Sequence, residues 1–303
     1  MKKAEKVWLI TAGFLILIGF LVFFGVMASY HWDITALDNT EYETNTVTIQ
    51  EDFQNISVCS DTETINFFPS DDGSCRVVFY EKKQVQPTAC VQDGTLSIGT
   101  VDTREWYDFL IHFTLSLRSP GIAVYLPATE YASLAIKEST GDISIPKDFT
   151  FETMDISAGT GDVYCGASES GEMRISTSTG DIRLANVSAG ELHLSVSTGK
   201  TALTDVSCRN IHSTGGTGDI AMENVVAEEM ISIKRSTGDV RFERCDAASL
   251  EIETDTGDVT GSFSSEKVFI ARSDTGTISV PKTVSGGKCS ITTDTGDIII
   301  TLS

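Results

Sequence analysis

From Leu134 to the C-terminus, apolar and polar residues alternate in short runs arranged about a recurring Thr-Gly pair, usually followed by Asp. The glycines are Gly141, Gly161, Gly180, Gly199, Gly218, Gly238, Gly257, Gly276 and Gly296, each 19 or 20 residues after the last. Sites seven and five residues before each glycine are nearly all apolar, from Leu134/Ile136 and Met154/Ile156 to Leu250/Ile252 and Cys289/Ile291, with Ser213 as an exception. Sites two and four residues after it behave the same way, from Ile143/Ile145 to Ile298/Ile300, with Thr201 departing. Period-two alternation on both sides of a fixed corner predicts two strands per repeat.

Two short strands cannot bury an apolar face or pair their own edges, so the repeats must stack. Every turn runs in the same sense, so equivalent strands pair in parallel about 4.8 Å apart, and the corners build a column roughly 40 Å long. The expected fold is all-β: a parallel β-solenoid of about nine turns of 19–20 residues, right-handed by the general rule for such connections.

Upstream, alternating pairs at Ile56/Val58, Ile65/Phe67, Val77/Phe79, Leu96/Ile98 and Ile122/Val124/Leu126 predict further strands, with turns at Ser70-Asp71-Asp72-Gly73 and Asp93-Gly94. Thr103 to Arg118 gathers Trp106, Tyr107, Phe109 and Phe113. The alternation Ile111, Phe113, Leu115, Leu117 favours a strand, with the Trp106–Phe113 aromatics covering one end of the core; an exposed binding patch is the alternative. Ser29 to Gln50 has no sustained apolar period and reads as an irregular stalk.

Val7–Met27 is an apolar run without a charged residue. As a helix it is roughly 30 Å long, enough to span a bilayer. Lys2, Lys3 and Lys6 precede it and Asp33, Asp38, Glu41 and Glu43 follow, which places the N-terminus in the cytoplasm and the bulk of the chain outside. A cleaved signal peptide is the alternative, but its apolar core runs about 7–15 residues, and Val26-Met27-Ala28 is a poor cleavage site. The expected organisation is a cytoplasmic tail (1–6), an anchor (7–27), a stalk (28–52), an N-terminal strand part (53–130) and the solenoid (131–303).

A net charge of −21 on 303 residues argues against nucleic acid as a partner. The seven cysteines are odd in number and unpatterned. Cys165 and Cys289 fall on inward sites, and Cys245 matches Val187, Val206 and Val225, so these three read as buried thiols. Cys208 lies off those ladders; Cys59, Cys75 and Cys90 precede the repeat, and a Cys75–Cys90 bridge stays open.

Candidate chemistry is sparse. The corner aspartates, Asp142, Asp162, Asp181, Asp219, Asp239, Asp258 and Asp297, should line one edge, where each accepts a backbone N–H and holds its own turn. The sharper alternative is a Ca²⁺ site among Asp255, Asp258, Asp274, Asp294 and Asp297. Adjacent corner carboxylates meet the spacing of a glycosidase pair trivially, so that spacing carries no weight. His31, His112, His193 and His212 form no catalytic or metal-spaced set, and His193 and His212 point outward at equivalent sites. Thr198-Gly199-Lys200-Thr201 mimics the tail of a phosphate loop, but the upstream glycine is missing. No catalytic residue and no cofactor is assigned.

Phe53-x-x-Ile56-x-Val58, Asp93-Gly94-Thr95-Leu96-x-Ile98, Ile122-x-Val124-x-Leu126-Pro127 and the Ser-Thr-Gly-Asp-Ile repeats, in that order, resemble a family of bacterial envelope proteins known as the putative-adhesin domain of unknown function. The resemblance covers about Phe53 to Ser303 and implies a β-solenoid outside the cytoplasmic membrane, with no catalytic residues to carry over. Lys200, Thr201 and Thr277 depart from the repeat. The expected role is non-catalytic binding or scaffolding of an envelope glycan or protein, displayed from the membrane. A membrane-anchored envelope-stress sensor acting through a partner is the first alternative, and a polysaccharide-active β-helix enzyme the second. An open last strand at Ile298–Leu302 would also allow end-to-end self-association.

Overall fold

The computed structural model describes residues 3–32, 42–82, 85–102 and 120–303. The chain divides into two units: the N-terminal part, and Glu43–Thr103 with Pro120–Ser303. The first holds an α-helix over Lys3–Ser29. Its segment Ile10–Ser29 is long and apolar enough to cross a membrane. The aromatic segment Trp106–Phe113 lies outside the described residues, as do Asp33, Asp38, Glu41 and His112.

The second unit is a parallel β-solenoid. The earlier repeats place a long strand before the corner and a shorter one after it, as in Thr150–Thr160 and Val163–Cys165 around Gly161, whereas Thr201–Thr217, Ile220–Thr237 and Val240–Thr256 each run unbroken from one corner to the next. Register follows the repeat: Met154 pairs with Leu134 on one side and Met173 on the other, and Ile156 with Ile136 and Ile175. These inward sites are almost fully buried, as are Ile143, Val163 and Ile182 after the corner, so the aliphatic ladders form one continuous core.

At both ends the stacking order departs from chain order. At the N-terminal end, Asn55–Ser60 pairs in parallel with both Thr95–Asp102 and Glu130–Thr140. Thr64–Pro69 likewise pairs with both Gly121–Leu126 and Ile143–Ile145. The first turn laid down is therefore an inner one. Antiparallel strands Cys75–Lys82 and Val85–Gln92 pair along Gly121–Leu126 and Thr95–Asp102. Tyr42–Ile49, expected to be irregular, is a strand beside Cys75–Lys82. Its apolar residues Val47 and Ile49, two apart, pack on the core, a signal too short to register as a period.

At the C-terminal end, Gly287–Thr295 sits between Val240–Thr256 and Lys267–Thr275. Ile298–Leu302 pairs along Val259–Phe263, and its Ile298 and Ile299 also pair with Ile278 and Ser279. The expectation of an open edge at Ile298–Leu302 is corrected accordingly: Ile298 and Ile300 are buried, and the outer strand is Lys267–Thr275. A repeat period fixes the size of each turn and leaves the order of stacking free.

All seven cysteines are free, so Cys75 and Cys90 are unbridged. Cys165, Cys245 and Cys289 are buried as expected. Cys208, off the two ladders counted from the corner, is buried too: it stands in register with Ala189 and Ala227 on a further inward file.

Candidate functional site

The corner explains its own sequence. At Gly180 the backbone φ is 141°, and a Cβ there would lie 1.9 Å from the carbonyl oxygen of Gly161. The same clash recurs from corner to corner up to Gly296 against Gly257 and Gly276 against Gly296, so nothing larger than glycine fits this file. The aspartates tie adjacent corners together. Asp142 Oδ1 accepts the N–H of Asp162 at 2.8 Å, Asp162 that of Asp181 at 2.9 Å, and Asp181 that of Lys200 at 2.8 Å. Each carboxylate thus holds the next turn rather than its own, which corrects the expected pairing. Arg183 bridges Asp162 and Asp181 at 2.9 and 2.6 Å. The N–H of Asp181 and then Arg183 hold the Asp162 carboxyl below the usual range. At Lys200 the carboxylate file is interrupted, and Lys200 Nζ lies 3.5 Å from Asp219 Oδ2.

The candidate cation ligands fall near one another without forming a cage. Asp258 and Asp297 accept the N–H groups of Asp297 and Thr277 at 2.7 Å each. Asp274 pairs with Arg272 at 3.0 Å. The flanking pairs Thr254–Thr293 and Ser273–Thr293 place Asp294 between Asp255 and Asp274 on an exposed face. Among the described residues, no group of three or more His, Cys, Asp or Glu is arranged to hold a metal. His193 and His212 stack at 5.1 Å on the outer face, with His193 Nε2 3.2 Å from Glu172 Oε1.

Two inward files escaped the sequence reading. Three residues before the glycine, several turns bury polar side chains beside the apolar Ala158 and Val196. The hydroxyls of Thr177, Thr254 and Thr293 donate to the corner carbonyls of Gly161, Gly238 and Gly257 at 3.4, 3.3 and 3.1 Å. On the same file sits Arg235, 2% exposed, whose Nη2 donates to Thr201 Oγ1 at 3.1 Å and Ser213 Oγ at 2.9 Å. Burial pushes its pKa down to about 10. The departures Thr201 and Ser213 are therefore the lodging of a guanidinium. Gly215 completes it, since a Cβ there would lie 2.3 Å from Arg235 Nη1.

The other file runs ten or eleven residues before the glycine: Tyr131, Phe151, Glu169, Ala189, Cys208, Ala227 and Ala247. Phe151 is in register with Tyr131 and with Glu169; Ala189, Cys208, Ala227 and Ala247 are in register with one another. Past Glu169 these side chains are small, and the surface sinks into a trough of about 510 Å³ lined by Ser168, Glu169, Ser188, Gly190, Ser207 and Arg209. Val226 and Glu228 lead on to a second depression of about 570 Å³ at Asp246, Lys267 and Gly287. There the buried Lys267 pairs with Asp246. Glu169 has no such partner. It is 4% exposed, and neither carboxylate oxygen has a hydrogen-bond partner. Burial holds it up to about 7; the nearby N–H groups of Gly190 and Gly171 draw it back part of the way without hydrogen-bond geometry, while Glu172 and Glu191 push it up. The available signal was a lone Glu at a site whose neighbours in the repeat are aromatic or small.

The model of one protein family, described as Toastrack DUF4097, matches residues 53–301. No curated protein matches the chain. Among solved structures, the chain is similar to that of a putative adhesin from Bacteroides fragilis, 15% identical with a TM-score of 0.52, covering 87% of this chain and 99% of that one. It is also similar to that of a putative lipid binding protein from Parabacteroides distasonis, 15% identical with a TM-score of 0.50, covering 87% of this chain and 98% of that one. At such identity the likeness is one of fold.

Proposed function

The chain belongs to the Toastrack family, and from that premise we propose that it is a non-catalytic, adhesin-like binding or scaffold protein of the cell envelope. The apolar helix is its membrane anchor, and the solenoid stands on the outer side. The observation that carries this reading is the regularity of the exposed strand face. Ser157, Ser176, Ser195, Thr214, Lys234, Glu253 and Thr292 follow one another in register, one per stacked turn. A row of hydroxyl and charged groups repeated at the strand spacing of about 4.8 Å suits an extended polymer or a partner's flat surface. The names of the similar structures, an adhesin and a lipid-binding protein, fit a holding role and leave the ligand open.

The test is retention of the full-length chain, in membrane vesicles, on an isolated cell-wall fraction. Retention that falls several-fold when Ser176, Ser195 and Thr214 are replaced together by Glu supports the reading. Equal retention of the two, or none by the unaltered chain, removes it.

A further inference from the structure

The corner carboxylates are consumed by backbone N–H groups, and Asp246 by Lys267 and Ser265. Glu169 is different, because it lies on an inward-facing file yet lines a surface trough, with both oxygens buried and only the N–H groups of Gly171 and Gly190 near them, outside hydrogen-bond geometry. A buried carboxylate is normally matched by a cation or by several donors. Arg209 lines the same trough and makes no hydrogen bond to it. Beyond Glu169, the floor and walls are Ser188, Ala189, Gly190, Ser207 and Cys208, side chains too short to fill the space. Gly171 and Gly190 stack beneath it: a Cβ on Gly190 would lie 2.3 Å from the Gly171 oxygen, and one on Gly171 would lie 3.2 Å from Glu169 Oε1. A Cβ on Gly171 would also lie 2.8 Å from the Glu152 oxygen, so both positions are held to glycine chiefly by the strands packed beside them.

We propose that this trough binds a lysine or arginine side chain presented on an extended segment of a partner protein, with Glu169 as its counter-ion. The inference rests on the reading of the chain as a binding protein and names the chemistry that one part of its surface selects. The alkyl stem of such a side chain would lie along Ala189 and Cys208 while its charged head reaches the carboxylate. Glu228 on the trough wall and the net charge of −21 draw a cation toward it. A volume of about 510 Å³ accepts one long side chain and its flanking backbone. The continuation past Val226 gives an extended segment room to lie along the column.

The experiment titrates the full-length chain, in neutral detergent micelles, with a Gly-Ser-Lys-Ser-Gly amide carrying carboxyfluorescein on its N-terminal amine and with the same peptide carrying norleucine in place of lysine. The lysine peptide should bind at least tenfold more tightly. Glu169→Gln should weaken the lysine peptide at least tenfold and leave the norleucine peptide unchanged. Ala189→Leu, which keeps the carboxylate and fills the trough, should weaken the lysine peptide as much. Equal affinity for the two peptides, unaltered binding by Glu169→Gln, or no binding of the lysine peptide at millimolar concentration overturns the proposal. Butylamine binding as tightly as the lysine peptide overturns the extended segment as occupant. Retention on the cell-wall fraction, read on the same preparations, separates the two levels. A chain retained there that ignores the peptide loses this site and keeps its broader role; one that takes the peptide without being retained keeps the site and loses the broader reading.

Discussion

Asp258 Oδ1 accepts the backbone N–H of Asp297 at 2.7 Å across 39 residues of chain, where other corners are linked across 19 or 20. The last repeat in sequence is thereby an inner turn of the column. Cysteines introduced as Glu251→Cys and Ser290→Cys, which face each other across neighbouring strands, should be joined by a short bifunctional reagent, and Glu251→Cys with Ile270→Cys, two strands apart, should not. The reverse pattern of cross-links would show that the turns stack in chain order.

The glycine file sets a steric rule that a substitution can probe. Gly180→Ala meets both an unfavourable φ of 141° and an oxygen at 1.9 Å, and should cost more than about 3 kcal/mol. Gly73→Ala, at φ 72° in open space, should cost about 1 kcal/mol. Urea midpoints of the two variants give the comparison, and similar losses would argue against the close corner stack.

Arg235 and Ser213 should be energetically coupled. Ser213→Ile restores the repeat but takes a partner from a buried guanidinium, and should destabilise by about 2 kcal/mol. Adding Arg235→Val removes the charge that needed it, so the double variant should recover at least about 1 kcal/mol relative to additivity. Additive losses in denaturant titrations would disconnect the two residues.

Glu169 and Glu138 both have carboxyls raised by burial to about 7. For a carboxyl whose folded pKa exceeds its unfolded value, the folded state binds the extra proton, so stability is greatest below about 4.5 and falls as pH rises to about 7. Glu169→Gln should flatten part of that fall and leave the part owed to Glu138, whose hydroxyl partner is Ser60. Thermal midpoints between pH 4.5 and 8 test this, and an unchanged slope in the variant would contradict it.

Cys59 and Cys90 are exposed while the other five thiols are buried. Burial also raises Cys75 to about 11 and Cys165, Cys208 and Cys289 to about 12, leaving little thiolate to react. A membrane-impermeant maleimide should therefore label intact cells from outside at Cys59 and Cys90. Labelling that appears only after lysis would place the solenoid on the inner side.

Much of the fold was legible because its period is short and strict. The strand pairs around each corner, the buried sites such as Ile156 and Val163, and the outward histidines all follow from counting to the nearest glycine. The stacking order was not legible, because Gly287–Thr295 and Lys267–Thr275 carry equivalent patterns and either could pair with Val240–Thr256. The polar file at Thr177, Arg235 and Thr254 was hidden because hydroxyl groups that bond to corner carbonyls read as surface residues. Glu169 was hidden for a related reason. It lies eleven residues before its corner where Phe151 and Ala189 lie ten before theirs, a one-residue slip between turns that blurs the count, and burial of a lone carboxylate follows from the small neighbours beside it rather than from its own identity.

The claim that the column holds its ligand rather than cutting it is tested most directly by incubating the full-length chain with size-defined envelope polysaccharides and recording bound fraction and fragment length over the same hours. The bound fraction should reach a plateau with fragment lengths unchanged. Shortening of the polysaccharide with time would contradict it and make the chain an enzyme.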